Sequence, residues 1–205
     1  MSGTLQLGGT NLAVHSGSGA SAKITLDSGL VFPAGHIIQV IESKKTDIDD
    51  VNTNGGTNWS DWTGTDQNGS GSIWCVKITP QSQSSKILVV ATGAAGMDGG
   101  YSGWMRVARI INGVTTTPYL GDAATNYYQV GSCSFYGGST DSNNNETFSM
   151  IFLDSPNTEN EITYKCQGST QGNYILRINT LGSNISNTAY AARSPSSIIV
   201  MEIKQ

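Results

Sequence analysis

The hydrophobic pattern of the chain has a period of two, and no 3.6-residue repeat persists for more than about a turn. Runs rich in β-branched and aromatic residues fall at 22–26, 35–42, 73–79, 86–92, 104–111, 127–136, 147–153, 161–167, 174–179 and 197–203. Gly, Ser, Asn and Asp separate them. Short strands with turn chemistry between them predict an all-β fold, an antiparallel β-sandwich of jelly-roll type. Asn112-Gly113, after Ile110-Ile111, is a two-residue hairpin signal. Pro33 and Pro80 stand beside strands, where a missing N–H does least harm.

The run from Phe148 to Gln167 is the most informative. Its first half is apolar on both faces, with Phe148, Met150 and Phe152 on one and Ile151 and Leu153 on the other. Its second half alternates, with Ile162, Tyr164 and Cys166 against Thr163, Lys165 and Gln167. Asp154-Ser155-Pro156-Asn157 between them predicts a tight turn. The expectation is a hairpin whose first strand is buried on both sides and whose second is half-buried.

Two further runs are two-faced. Ile87, Val89 and Ala91 oppose Leu88 and Val90; Ile199, Met201 and Ile203 oppose Ile198 and Val200. A two-layer sandwich leaves one face of each sheet to water, so three such strands require that an outer face be covered. Loops of the same chain or a symmetric oligomer could cover it. Ile87, Val89, Phe148, Met150, Phe152, Ile199 and Met201 are the expected core and subunit-interface positions.

Residues 1–34 carry apolar clusters (Val14, Ile24, Leu26, Leu30, Phe32) broken by Gly and Ser, too sparse to close a core. They predict an N-terminal arm or attachment segment ahead of a sandwich domain at 35–205.

Composition narrows the function classes. Charged residues are 13%, against about 25% in ordinary domains. The net charge of −4 argues against a nucleic-acid partner or a polybasic membrane contact. No apolar run is long enough to span a bilayer, and the first residues have neither a basic start nor an apolar signal core, so folding in a cytoplasm is expected. Cys75, Cys133 and Cys166 are widely spaced and odd in number, so reduced thiols are expected, with Cys166 a small core residue.

Candidate chemistry is sparse. Asp50, Asn52, Asn54, Gly55 and Asp61 have the spacing of a 12-residue calcium loop, although Asp61 stands where Glu is usual. An ordinary Asx-turn loop is the competing reading, and no other cofactor is indicated. Trp59 and Trp62, beside Asn58 and Asp61, offer flat rings with polar neighbours, as a glycan surface needs. The competing reading is burial under the loop or in an interface; Trp74 and Trp104 read as core. His15 and His36 are the only histidines, and no catalytic grouping stands out. Asp154, Glu159 and Glu161 read as solvated turn carboxylates, and Gly93–Gly100 as a loop.

Four stretches together resemble a family of tailed-phage virion proteins: FPAGHIIQVIES, VKITPQSQSSKILVVAT, FSMIFLDSPNTENEITYKCQG and SPSSIIVMEIKQ, in that order across residues 31–205. The resemblance implies a homotrimeric jelly roll of the tumour-necrosis-factor-like type. It implies a tail fibre, head fibre or capsid decoration protein that contacts other virion proteins and is assembled in a bacterial cytoplasm. A receptor-binding fibre tip that recognises host-surface polysaccharide is the alternative. The chain departs from the family in a longer Asp-, Asn- and Trp-rich segment at 47–72 and in an N-terminal part too short for a fibre shaft.

Overall fold

A computed structural model of the 205-residue chain describes residues 3–7, 10–16, 23–26, 33–55, 58–125, 127–132, 135–136, 143–183 and 192–205. Cys133 lies outside them. The chain divides into two compact units, Met1–His36 and Ile37–Gln205. In the first, β1 (Gly3–Leu7), β2 (Thr10–Ser16) and β3 (Lys23–Leu26) form an antiparallel sheet in the order β1-β2-β3. These strands pair with one another, with a register shift between Leu5 and Gln6.

The second unit holds β4 (Ile37–Lys45), β5 (Asp49–Val51), β6 (Ser60–Asp61), β7 (Cys75–Ile78), β8 (Lys86–Met97) and β9 (Ser102–Ile111). It continues with β10 (Val114–Thr116), β11 (Phe135–Tyr136), β12 (Glu146–Asp154), β13 (Ile162–Thr170), β14 (Leu176–Ile178) and β15 (Ser196–Ile203). No helix occurs among the described residues. All pairings are antiparallel, and they build two sheets.

In the first sheet β4, β15, β8 and β12 lie side by side, and β5 and β14 pair with each other beyond the ends of β4 and β15. In the second, β13 and β9 are central, with β6 and β7 along one side and β10 and β11 along the other. Numbered along the chain, the eight principal strands run 1-8-3-6 in one sheet and 2-7-4-5 in the other. That is the winding of a jelly roll.

The core lies between the sheets. Ile87, Val89, Ala91, Phe148, Met150, Ile198 and Val200 face Val76, Ile78, Met105, Val107, Ile162, Tyr164 and Cys166, with Trp62 and Trp74 among them. Burial of each large side chain stabilises by about 1.5–3 kcal/mol. Phe135 meets Phe148 edge-on, at 6.4 Å and 85°. Cys75 and Cys166 are free, buried thiols, and burial pushes the Cys166 thiol up.

Asn112 and Gly113 both take positive φ, 51° and 79°, and join β9 to β10 as the Asn-Gly signal predicts.

Several expectations need correction. Phe148–Gln167 is not a hairpin: β12 pairs with β8, whereas β13 pairs with β9 and β7. The link at 155–161 carries the chain from one sheet to the other. Turn chemistry marks a change of direction, and a crossover needs one as much as a hairpin does. Asp154 is therefore no solvated turn carboxylate. It is 6% exposed, takes two bonds from Arg109 Nη1 at 2.7 and 2.8 Å, and accepts the Tyr164 hydroxyl at 2.7 Å.

Burial in the two strands is also the reverse of that expected. In β12, Ile151 and Leu153 are 55% and 50% exposed, whereas β13 is buried at every position but Thr163. Finally, β8 continues through Gly93–Met97 rather than ending in a loop. A side chain at Gly93 would collide with Ser196 and Phe148, so these glycines permit close approach within a strand. Of the run at 127–136, only Phe135–Tyr136 is strand among the described residues.

Candidate functional site: two outer sheet faces

Register fixes what each sheet presents outward. On the first sheet, one row across the strands is Val40, Met201, Leu88 and Leu153. The next is Glu42, Ile199, Val90 and Ile151, and the third is Lys44, Ser197, Thr92 and Ser149. Seven of the eight positions in the first two rows are apolar. The patch spans about 14 Å across the strands at the usual spacing. Val40, Ile151 and Leu153 are half exposed or more, and Leu88, Val90, Ile199 and Met201 are partly buried. The third row returns to charged and hydroxyl side chains, so the apolar surface has a polar border on that side.

The seven expected core and interface positions divide by this register. Ile87, Val89, Phe148 and Met150 point inward and are buried. Phe152 packs partly buried against the core and stacks on Tyr119 at 4.8 Å. Ile199 and Met201 lie on the outer patch. The three two-faced runs of the sequence are β8, β12 and β15, neighbours in one sheet.

The second sheet presents different chemistry. Its outward rows are Lys77, Thr163 and Ile110; Cys75, Lys165 and Ala108; Asp61, Gln167 and Arg106; and Ser169 with Trp104. Asp61 accepts Lys165 Nζ at 2.7 Å and Gln167 Nε2 at 2.8 Å. Gln167 Oε1 in turn accepts Arg106 Nε at 2.9 Å. The guanidinium lies over the Trp59 ring, 4.2 Å from its centroid. Tyr128 covers Trp104 at 4.6 Å. Gln67 seals the edge by bonding both the backbone N–H and the carbonyl of Lys77. Beside this network a groove of about 310 Å³ runs between Ser70–Ile73 and the side chains of Ile110, Cys75 and Lys165.

The residues expected to bind glycan therefore separate. Trp59 and Asp61 belong to this network. Asn58 is exposed and donates to the Thr53 carbonyl at 3.3 Å. Trp62 is fully buried against Gly168, whose Cβ would lie 2.7 Å from the ring, so it has no face left for a sugar. Arg106 was not among the expected residues. Its partners lie 47 and 61 positions away, so only the strand register brings them together.

The two carboxylates of the expected calcium loop are tied to cations on different sheets, and its two asparagines form a local turn. Asp50, on β5 of the first sheet, lies 3.3 Å from Arg177. Asp61, on β6 of the second, is tied to Lys165. Asn52 Nδ2 bonds Asn173, and its Oδ1 accepts the Asn54 N–H as in an Asx turn. Among the described residues, no group of three or more His, Cys, Asp or Glu side chains is gathered for a metal.

No known protein family matches the chain, and no curated protein does. Among solved structures it is similar to infectious bursal disease virus, Gt strain, at 11% identity and a TM-score of 0.36, over 94% of this chain and 47% of that one. The Gx strain gives 12% identity and 0.35, over 88% and 44%. The chain thus spans less than half the length of these neighbours, and such TM-scores are too low to define a shared fold.

Proposed function

We propose that the chain is a non-enzymatic structural component of a tailed-phage particle. It is a homotrimeric β-sandwich, a fibre or capsid decoration protein, attached through residues 1–34. The observation that carries this is the outward apolar surface of the first sheet. Seven aliphatic or Met side chains in two adjoining rows form the kind of patch that marks an interaction surface. Its hydroxyl and lysine row resembles the polar rim of an interface. Burial of this face between identical subunits gives assembly, and the order of the four phage-like stretches supports the trimer and the virion setting.

The test is the association state of the full chain in sedimentation velocity at micromolar concentration. A trimer supports the reading, and replacing Val90 and Ile151 by Asp should release monomers that keep their β-sheet circular dichroism. A monomeric wild-type chain would overturn it.

A further inference from the structure

The outer face of the second sheet holds an arginine of which the surrounding network engages only a part. Arg106 uses Nε on Gln167 and its flat face on Trp59, while its terminal nitrogens have no hydrogen-bond partner among the described residues. No hydrogen bond joins them to the nearby Asp61, whose carboxylate takes Lys165 and Gln167. The side chain is partly buried, and burial lowers its pKa while Asp61 opposes that. It remains a cation at any pH the fold meets. Lys165 and Asp61 neutralise each other, so this part of the face carries one net positive charge.

A guanidinium fixed by a ring and an amide, with its outer fork free, is pre-organised for a planar carboxylate. The surroundings add rings and hydrogen-bonding groups. Trp59 is half-buried beside it, and Tyr128, 48% exposed, stands over Trp104 two residues back on β9. A bare inorganic anion needs no rings, and a neutral sugar needs no free arginine. We propose that this face binds an acidic saccharide, a uronic-acid-bearing glycan, with the carboxylate on Arg106 and sugar faces on the adjacent aromatic side chains. This goes beyond the assembly proposed above and does not rest on it: the two use opposite sheets, so either can fail alone.

The test uses the full chain, with tri-galacturonate as probe and tryptophan fluorescence and calorimetry as readouts. Galactotriose and inorganic phosphate are the comparison ligands. The expected result is saturable binding of tri-galacturonate, with neither comparison ligand binding as tightly. Arg106→Gln should weaken it at least about tenfold, the loss of a charge-assisted pair. Trp59→Ala should weaken it as well. Arg106→Lys keeps the charge but loses the fork; it should fall between wild type and Arg106→Gln, and it carries the test alone if Arg106→Gln does not fold. Three results would overturn the proposal: no saturable binding by 10 mM probe, unchanged affinity in folded Arg106 variants, or phosphate binding as tightly as tri-galacturonate.

Discussion

The two outer faces of this sandwich solve the problem of a sheet's second side in opposite ways. The first sheet presents Val40, Leu88, Val90, Ile151, Leu153, Ile199 and Met201, of which Val40, Ile151 and Leu153 are half exposed or more. The second presents Arg106, Lys165, Gln167 and Asp61, which are linked by hydrogen bonds, with Trp59 over Arg106 and Tyr128 over the neighbouring Trp104. Exposure follows neither strand's polarity: the apolar side chains Ile151 and Leu153 are half exposed, whereas Lys165 and Gln167 are each 8% exposed. A polar sheet face can be largely finished within one subunit, because most of its donors meet acceptors there. An apolar face has no such internal completion; in the proposed trimer it is finished by association.

Breaking the apolar face should therefore change assembly most. An aspartate at Val90 or Ile151 would be an unpaired charge in a buried interface, costing several kcal/mol. In the proposed trimer, the Val90→Asp/Ile151→Asp double variant should weaken association by more than about a thousandfold. Concentration-dependent sedimentation measures that directly.

The next largest effect concerns what ties the bare sheet to the covered one. Asp154 ends β12 in the first sheet and reaches Arg109 and Tyr164 of the second. Asp154→Ala leaves a largely buried guanidinium and a buried phenol without their acceptor. A loss of about 3–5 kcal/mol, near 10 °C in Tm, is expected in thermal unfolding at one fixed protein concentration. Substitution within the polar face should cost less. Asp61→Ala strands Lys165 and Gln167, but the site is partly open to water, so about 2 kcal/mol and about 5 °C are expected. If Asp61→Ala proved neutral, the network would be ornament on the sheet rather than its cover.

Sequence patterning foretold the sandwich, the Asn112-Gly113 hairpin and the two-faced runs, because each depends on neighbours a few residues apart. It missed what depends on pairing. Turn residues 154–157 could not say whether β13 lies beside β12 or across from it. The alternation of β13 reads as half-buried until Asp61 and Arg106 arrive from distant strands to meet Lys165 and Gln167. Trp59 and Trp62 are three positions apart in one polar segment, yet one ring meets Arg106 at the surface and the other lies against Gly168 in the core. Gly93–Met97 looked like a loop because glycine count says nothing about the side chain of Ser196 opposite.

The smallest effect should be on pH dependence, and it separates the two faces by the forces that finish them. Asp66 accepts the N–H groups of Ser70 at 3.0 Å and Asn68 at 2.9 Å, and lies 3.1 Å from Lys77 on the second sheet's outer face. Those backbone bonds, led by Ser70, then the Lys77 contact, hold its carboxyl below the usual value. The Asp66 bond in turn raises the Lys77 ammonium. A lowered acid stabilises the fold above its unfolded value and loses that contribution as pH falls through the folded one. A raised amine stabilises below its unfolded value and loses that contribution as pH rises through the folded one. The pair thus contributes fully between about pH 4 and about pH 10 and fades on either side. Asp66→Asn should flatten the stability profile at both ends, most clearly in urea midpoints measured below pH 4. None of the seven apolar positions on the first sheet titrates, so the same substitution should leave the association constant unchanged across that window. Parallel shifts in stability and association would mean that the two faces are coupled through the sandwich rather than finished independently.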